Sequence, residues 1–142
     1  MCLLILIQRP DREYPLLVAS NRDEDRGRKT APPGLFVGAR LRMLSPRDRL
    51  AGGTWLAVNQ RGMFAGITNV AGAVPAPLPT TRGALPHLAL DEDDLDGAAN
   101  AVRVAVSAAP HNAFQLLISD QGRTRVLRYQ EWALTEQDMA DT

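Results

Sequence analysis

Cys2 is the one cysteine in 142 residues, and it directly follows the initiator Met1. Aminopeptidases clear methionine before small side chains, and removal would leave one residue bearing both a thiol and a free α-amine. An α-amine titrates near pH 8, so it is suited to take the thiol proton without help from a histidine. Such a residue attacks an amide or thioester carbonyl and holds the acyl group covalently. A second group of reactive types lies at Ser20-Asn21-Arg22-Asp23-Glu24, an amide, a guanidinium and two carboxylates at the end of an apolar run. Asp23 suits an ammonium, Arg22 either a lowered thiol pKa or a substrate carboxylate, and Asn69 or Asn59 the oxyanion of a tetrahedral intermediate. Asn21, Glu24, Trp55 and Asn59 are candidate substrate contacts. Each also has a plainer reading: Cys2 as a small apolar residue heading a strand, the tetrad as a solvated strand exit, and the asparagines as turn residues.

The elements that must position these groups are read from apolar patterning. Cys2 to Gln8 and Tyr14 to Ala19 are β-friendly runs around a Pro- and Asp-bearing turn, and predict a hairpin. Their near-continuous hydrophobicity predicts strands covered on both faces. On a regular strand Asn21 and Asp23 would share one face, with Arg22 and Glu24 on the other. Asp25 to Gly34 reads as an irregular loop, Leu35 to Val37 and Ala39 to Leu44 as short strands, and Ser45 to Asp48 as a turn. Leu50 to Asn59 and Met63 to Asn69 predict a second hairpin across Gln60-Arg61-Gly62, with Gly52-Gly53 permitting a bend or a close backbone approach. Asn69 would then end the second hairpin as Asn21 ends the first.

Val70 to Pro79 carries three prolines and reads as an extended loop. Ala84 to Leu90 and Leu95 to Ala109 have helical spacing, the second with acidic residues at its N-terminus. Phe114 to Ser119 and Thr124 to Tyr129 predict a third hairpin, followed by a loosely held tail from Thr135 to Thr142. His87 and His111 read as surface or capping residues. The order ββ, ββ, α, ββ contains no linker, so residues 1–142 are expected to form one domain.

Composition narrows the function classes. Lys plus Arg and Asp plus Glu balance at 16 each, and a single aromatic, Phe36, lies among the arginines between Arg22 and Arg49, so no nucleic-acid partner is expected. One cysteine and two histidines supply no zinc-type ligand cluster, and neither metal nor cofactor is implied. No Walker loop, G-x-S-x-G or G-x-G-x-x-G pattern occurs. The apolar run at the N-terminus lacks a basic lead and a cleavage site, and no run reaches the length of a membrane span, so a cytoplasmic protein is expected. The expected partner is a small-molecule substrate or ligand, with homo-oligomerisation left open.

Met1-Cys2, Asn21-Arg22-Asp23-Glu24, the block Leu50-Ala51-Gly52-Gly53-Thr54-Trp55-Leu56 with Val58-Asn59 and Arg61-Gly62, Thr68-Asn69 and Arg82-Gly83 occur in that order. Together with Asn112, Phe114 and Leu116-Leu117 they resemble the NRDE family, also called the TANGO2 family, over about residues 1 to 120. The resemblance implies an α+β, N-terminal nucleophile hydrolase-like αββα sandwich of antiparallel sheets, similar to cysteine amidases that cleave bile-salt and penicillin amides. It implies Cys2 as nucleophile, with Arg22 and Asp23 serving it. Relative to that family the chain is expected to be short at its C-terminus, where a later Ser-Asn and Pro-Trp block is absent. Two functions follow from the resemblance: a cysteine hydrolase of non-peptide C–N bonds acting on a small amide or thioester, or a non-enzymatic carrier of a lipid-like or heme-like ligand.

Overall fold

A computed structural model describes residues 2–76 and 79–139. Two antiparallel sheets are present, a ribbon of two strands and a sheet of seven. The ribbon pairs β1 (Leu4–Gln8) with β2 (Leu16–Ser20), in register from Leu4 opposite Ser20 to Gln8 opposite Leu16. In the large sheet the strands lie in chain order: β3 (Thr30–Val37), β4 (Arg42–Asp48), β5 (Leu56–Asn59), β6 (Phe64–Asn69), β7 (Phe114–Ser119), β8 (Thr124–Gln130) and β9 (Ala133–Met139). Between β6 and β7 come a 3-10 turn at Arg82–Ala84 and helices α1 (Leu85–Leu90) and α2 (Leu95–Ala108).

The helices cover one face of the large sheet. Leu95, Ala98, Ala99 and Val102 of α2 recur at helical spacing and pack, with Leu85, Ala89 and Leu90 of α1, on Met43, Ala57, Ala65, Phe114, Leu116, Ile118 and Leu127. Full burial of each leucine contributes roughly 2 kcal/mol before chain entropy is counted. Asp94 caps α2 by accepting from the Gly97 N–H, and Pro86 sits in the first turn of α1, where its missing N–H costs no helical bond. Among the described residues no helix is long and apolar enough to cross a membrane.

The ribbon lies on the opposite face. A Cβ at Gly66 on β6 would come within 2.8 Å of Leu4 Cδ2, so the absent side chain sets how closely β1 approaches the sheet. Gln8 Nε2 donates to Ser119 Oγ at 3.2 Å at the other end of the strand. The ribbon is not covered on both faces, as its continuous hydrophobicity suggests. Ile5, Ile7 and Leu17 remain 46%, 45% and 49% exposed, because alternate residues point away from the sheet beneath them.

Three further segments depart from the sequence reading. Thr30 to Gly34 is strand rather than loop: Pro32, Pro33 and Gly34 are tolerated because β3 is an edge strand and its register shifts between Ala31 and Gly34. Ser45 to Asp48 continues β4 instead of turning. Pro46 falls opposite that irregularity, and β5 pairs with β4 only at Met43 and Leu44, so no ladder bond is lost. Residues 133–139 are not a loose tail but pair with β8 along its length. The intervening Glu131 and Trp132 both adopt positive φ, 52° and 66°, the backbone of a tight two-residue hairpin turn. Arg125 binds Asp138 and Arg103 binds Glu136, which tie the strand to β8 and α2. Both helices and the β7–β8 hairpin follow expectation, as does the hairpin at Gln60–Gly62 except that its first arm is strand only over Leu56–Asn59 and residues 50–55 are turn and irregular. Residues 70–76 form no regular element, while Pro77 and the residues after Met139 lie outside the described residues.

His87 is half-buried rather than on the surface, and His111 is buried at the carbonyl of the residue that caps α2. His87 is stacked on Phe36 with ring centroids 3.9 Å apart, and its Nε2 lies 3.0 Å from Ser45 Oγ. Burial, and secondarily Arg47, holds His87 below the usual imidazole range. His111 is buried, with Nδ1 2.8 Å from the Ala109 carbonyl beyond the end of α2.

Candidate active site

Cys2 stands at the head of β1, and the ribbon's pairing continues one step past its last strand pair to fix it. Leu3 N–H donates to Asn21 Oδ1 at 2.6 Å, and Asn21 N–H to the Leu3 carbonyl at 3.2 Å. Asp23 then brackets the thiol with its backbone, its N–H 3.4 Å from Sγ and its carbonyl oxygen 3.7 Å away. Asn21 therefore positions Cys2 through the main chain, and the sulfur is held at the tetrad itself.

Beyond Ser20 the chain is no longer strand, so strict alternation does not apply to the tetrad. Arg22, Asp23 and Glu24 all line one cavity of 110 Å³ with Cys2. Trp55 and Asn69 line it as well, brought from the second hairpin. The Arg22 guanidinium lies 4.5 Å from the Trp55 ring centroid, and its Nη2 lies 3.3 Å from Asp48 Oδ2 and 3.7 Å from Glu24 Oε2. Asn59 sits elsewhere. It is buried in the β5–β6 turn, donating to the Leu90 carbonyl at 3.0 Å and accepting from the Arg61 and Met63 amides.

Three charged residues of the cavity escaped the sequence reading. Asp48 is the hub of its charged wall: Arg28 donates to Oδ2 from Nε at 2.8 Å and from Nη2 at 2.5 Å, alongside Arg22. The Asp48 Oδ1 accepts the Leu50 and Ala51 amides at 2.9 and 3.4 Å. Burial opposes its charge, but the bonds from Arg28 and from those amides outweigh it and hold the carboxyl below the usual range. Arg28, in turn, is raised by its bond to Asp48. Arg82 opens the 3-10 turn and donates to the Ala113 carbonyl at 2.8 Å. Burial, then Arg28, lowers its pKa, with Glu24 and Cys2 acting in the opposite sense. The signal for Arg82 was its place in the Arg82-Gly83 pair, whereas Arg28 and Asp48 lay in segments read as loop and turn. The lining thus carries Arg22, Arg28 and Arg82 against Asp23, Glu24 and Asp48, a wall balanced three to three.

The cavity's floor depends on a backbone contact between Gly53 and Gly83. Thr54 N–H donates to the Gly83 carbonyl at 2.9 Å, and a Cβ at Gly53 would lie 2.4 Å from the Gly83 carbonyl carbon. A main-chain group has little room to retreat. Gly53→Ala is accordingly expected to lower unfolding free energy by about 1–3 kcal/mol in urea titration, as overpacking does.

A family model described as Transport and Golgi organisation 2 matches residues 1–140. The chain belongs to that family. The mouse Transport and Golgi organization 2 homolog is 32% identical over 112 residues, which cover 75% of this chain and 39% of the mouse protein. Among solved structures, penicillin V acylase from Agrobacterium tumefaciens matches with a TM-score of 0.50 and 15% identity, over 77% of this chain and 40% of the acylase chain. At that identity the likeness speaks for the fold, the antiparallel α+β fold of N-terminal nucleophile hydrolases. The family member described here spans about two-fifths of the length of both relatives.

Proposed function

We propose that this Transport and Golgi organisation 2 family member is an N-terminal cysteine hydrolase of a small amide or thioester. The observation that carries the reading is the placement of Cys2 Sγ between the Asp23 amide and carbonyl, in a cavity that also gathers Arg22, Arg82 and Asn69. The solved neighbour is itself an acylase, which is consistent with the same chemistry.

The steps follow from the residues. With Met1 removed, the Cys2 α-amine takes the thiol proton, and Sγ adds to the carbonyl carbon. Asn69 donates to the oxyanion as the C=O bond opens, and Arg22 anchors a carboxylate on the substrate. The α-ammonium, oriented by Asp23, returns its proton to the leaving nitrogen or sulfur as that bond breaks. Water, deprotonated by the same amine, then releases the acid and restores the thiol. Glu24 and Trp55 hold Arg22 in place and border the substrate.

A panel of small amides and thioesters, combined with intact mass, tests the reading. The purified native chain should lack Met1 and turn over at least one class of substrate. Asn69→Ala should lower kcat by about 10²-fold while KM changes little, the pattern of a contact made mainly to the oxyanion. A carrier protein would instead bind ligand with no turnover in either form, and a retained Met1 would exclude the amine as base.

A further inference from the structure

The 110 Å³ cavity at Cys2 has room for a reacting carbonyl and its immediate substituents, roughly four water-sized groups. Beside it lies a much larger one of 480 Å³, within the usual range of small-molecule sites. The two share lining residues Gly53 and Thr81, so they meet at the glycine contact that forms the floor of the Cys2 site. Of the two shared residues only Thr81 carries a side chain, so the boundary is made by that threonine and by the Gly53–Gly83 main chain.

The large cavity is apolar in a specific sense. Phe36, Ala39, Ala51, Ala84 and Leu88 supply hydrocarbon, and the His87 ring lies flat on Phe36 with an interplanar angle of 2°. Its two ionisable wall residues are already engaged. His87 Nε2 meets Ser45 Oγ, and burial favours the neutral ring. The Asp91 carboxylate accepts the Ala39, Arg40 and Leu41 amides at 2.9, 2.9 and 2.8 Å. A charged ligand would find no counter-ion there, whereas a hydrocarbon would displace water from Phe36 and Leu88.

We propose that this cavity is the acyl-chain subsite of the Cys2 centre, so that the substrate is an amide or thioester of an uncharged, medium-length fatty or arylalkyl acid. At roughly 30 Å³ per water-sized group the cavity sets an upper bound of about sixteen carbons, and a medium-length chain fills about half of it. The assignment rests on the hydrolase reading: the carbonyl lies at Sγ, the leaving group faces the arginine-lined wall, and the chain passes over Gly53 towards Phe36 and Leu88. Polar recognition and apolar recognition are thereby divided between two cavities.

Straight-chain alcohols from butanol to octanol probe the subsite without using the chemistry, because they carry no carbonyl. Their Kd for the native protein, by calorimetry, is expected to fall about fourfold per methylene, the increment for burying one CH₂. Ala51→Trp, which fills the cavity from an exposed turn, and Leu88→Glu, which places a charge at a half-exposed position, should each flatten that series while melting like the native protein. With acetyl to octanoyl p-nitroanilides and thioesters, kcat/KM should rise along the series in the native protein and stay level in both variants. Alcohol binding without chain-length dependence, or unchanged in both variants, overturns the subsite. Equal turnover of acetyl and octanoyl substrates overturns the subsite and leaves the hydrolase standing. Tight octanol binding with no turnover of any substrate overturns the hydrolase reading, and the acyl assignment with it.

Discussion

An Asp48→Ala protein is expected to unfold with a free energy about 2–3 kcal/mol lower than the native chain and to lose most of its activity. Asp48 keeps 9% of its side chain exposed and binds both Arg22 and Arg28, which are 17% and 30% exposed. Removing it leaves the two guanidiniums with the more exposed Glu24, 3.7 and 3.3 Å away, as their remaining shared anion, and two amides of the following turn without an acceptor. Loss of one partner of a fully buried pair costs about 3–5 kcal/mol, and the partial exposure of Arg28 places this case below that range. Activity falls because Arg22 no longer has a fixed position over Trp55.

The same carboxylate sets an acid limit. Its folded pKa is depressed, so its contribution is present above the unfolded value near 3.9 and is lost as pH falls through the lower folded value. Urea midpoints between pH 7 and pH 3 should therefore drop less steeply at the acid end for Asp48→Ala than for the native protein. Equal slopes would mean that the carboxylate is not held by its arginines in solution.

Cys2→Ala is expected to reduce acyl transfer by at least about 10³-fold, because no other side chain among the described residues replaces the nucleophile in this cavity. Stability should change by under about 1 kcal/mol, since Cys2 is only partly buried and its main-chain bonds through Leu3 and Asn21 survive. The contrast between the two variants is diagnostic. Asp48 acts on activity and fold together, whereas Cys2 acts on activity alone. Initial rates with the best substrate of the panel, set beside urea titrations of both variants, separate the two effects.

How far the sequence could be read depended on whether a residue's role was local. The three hairpins and α2 were legible because apolar spacing and Gly62, Asp94 and Pro110 act within a few positions of themselves. β9 was not, since its tight turn is built by Glu131 and Trp132 in a conformation usually given to Asn-Gly, and its outward residues lack an apolar pattern. The strand at Pro32-Pro33 was hidden for a related reason: two prolines argue against a strand unless it lies at an edge, and edge position is a property of the whole sheet. In the cavity, the Cys2 and tetrad pairing was accessible because the first hairpin brings their ends together. Asp48 and Arg28 were not, because a carboxylate in an apparent turn and an arginine in a loop gain meaning only when the pairing of Thr30 with Asp48 brings the residues before β3 and the end of β4 together beside Arg22. Asn59 shows the converse. Its type and motif suggested a substrate contact, while its buried amide bonds the turn it closes through Oδ1 and the Leu90 carbonyl at the end of α1 through Nδ2.

The most direct test of the account is to trap the acyl group. Incubation of native protein with an activated thioester, quenching in acid and peptide mass mapping should find a chain that begins at Cys2, with the acyl mass on its sulfur and absent from Cys2→Ala. A chain that retains Met1, or an acyl mass located away from Cys2, would contradict it.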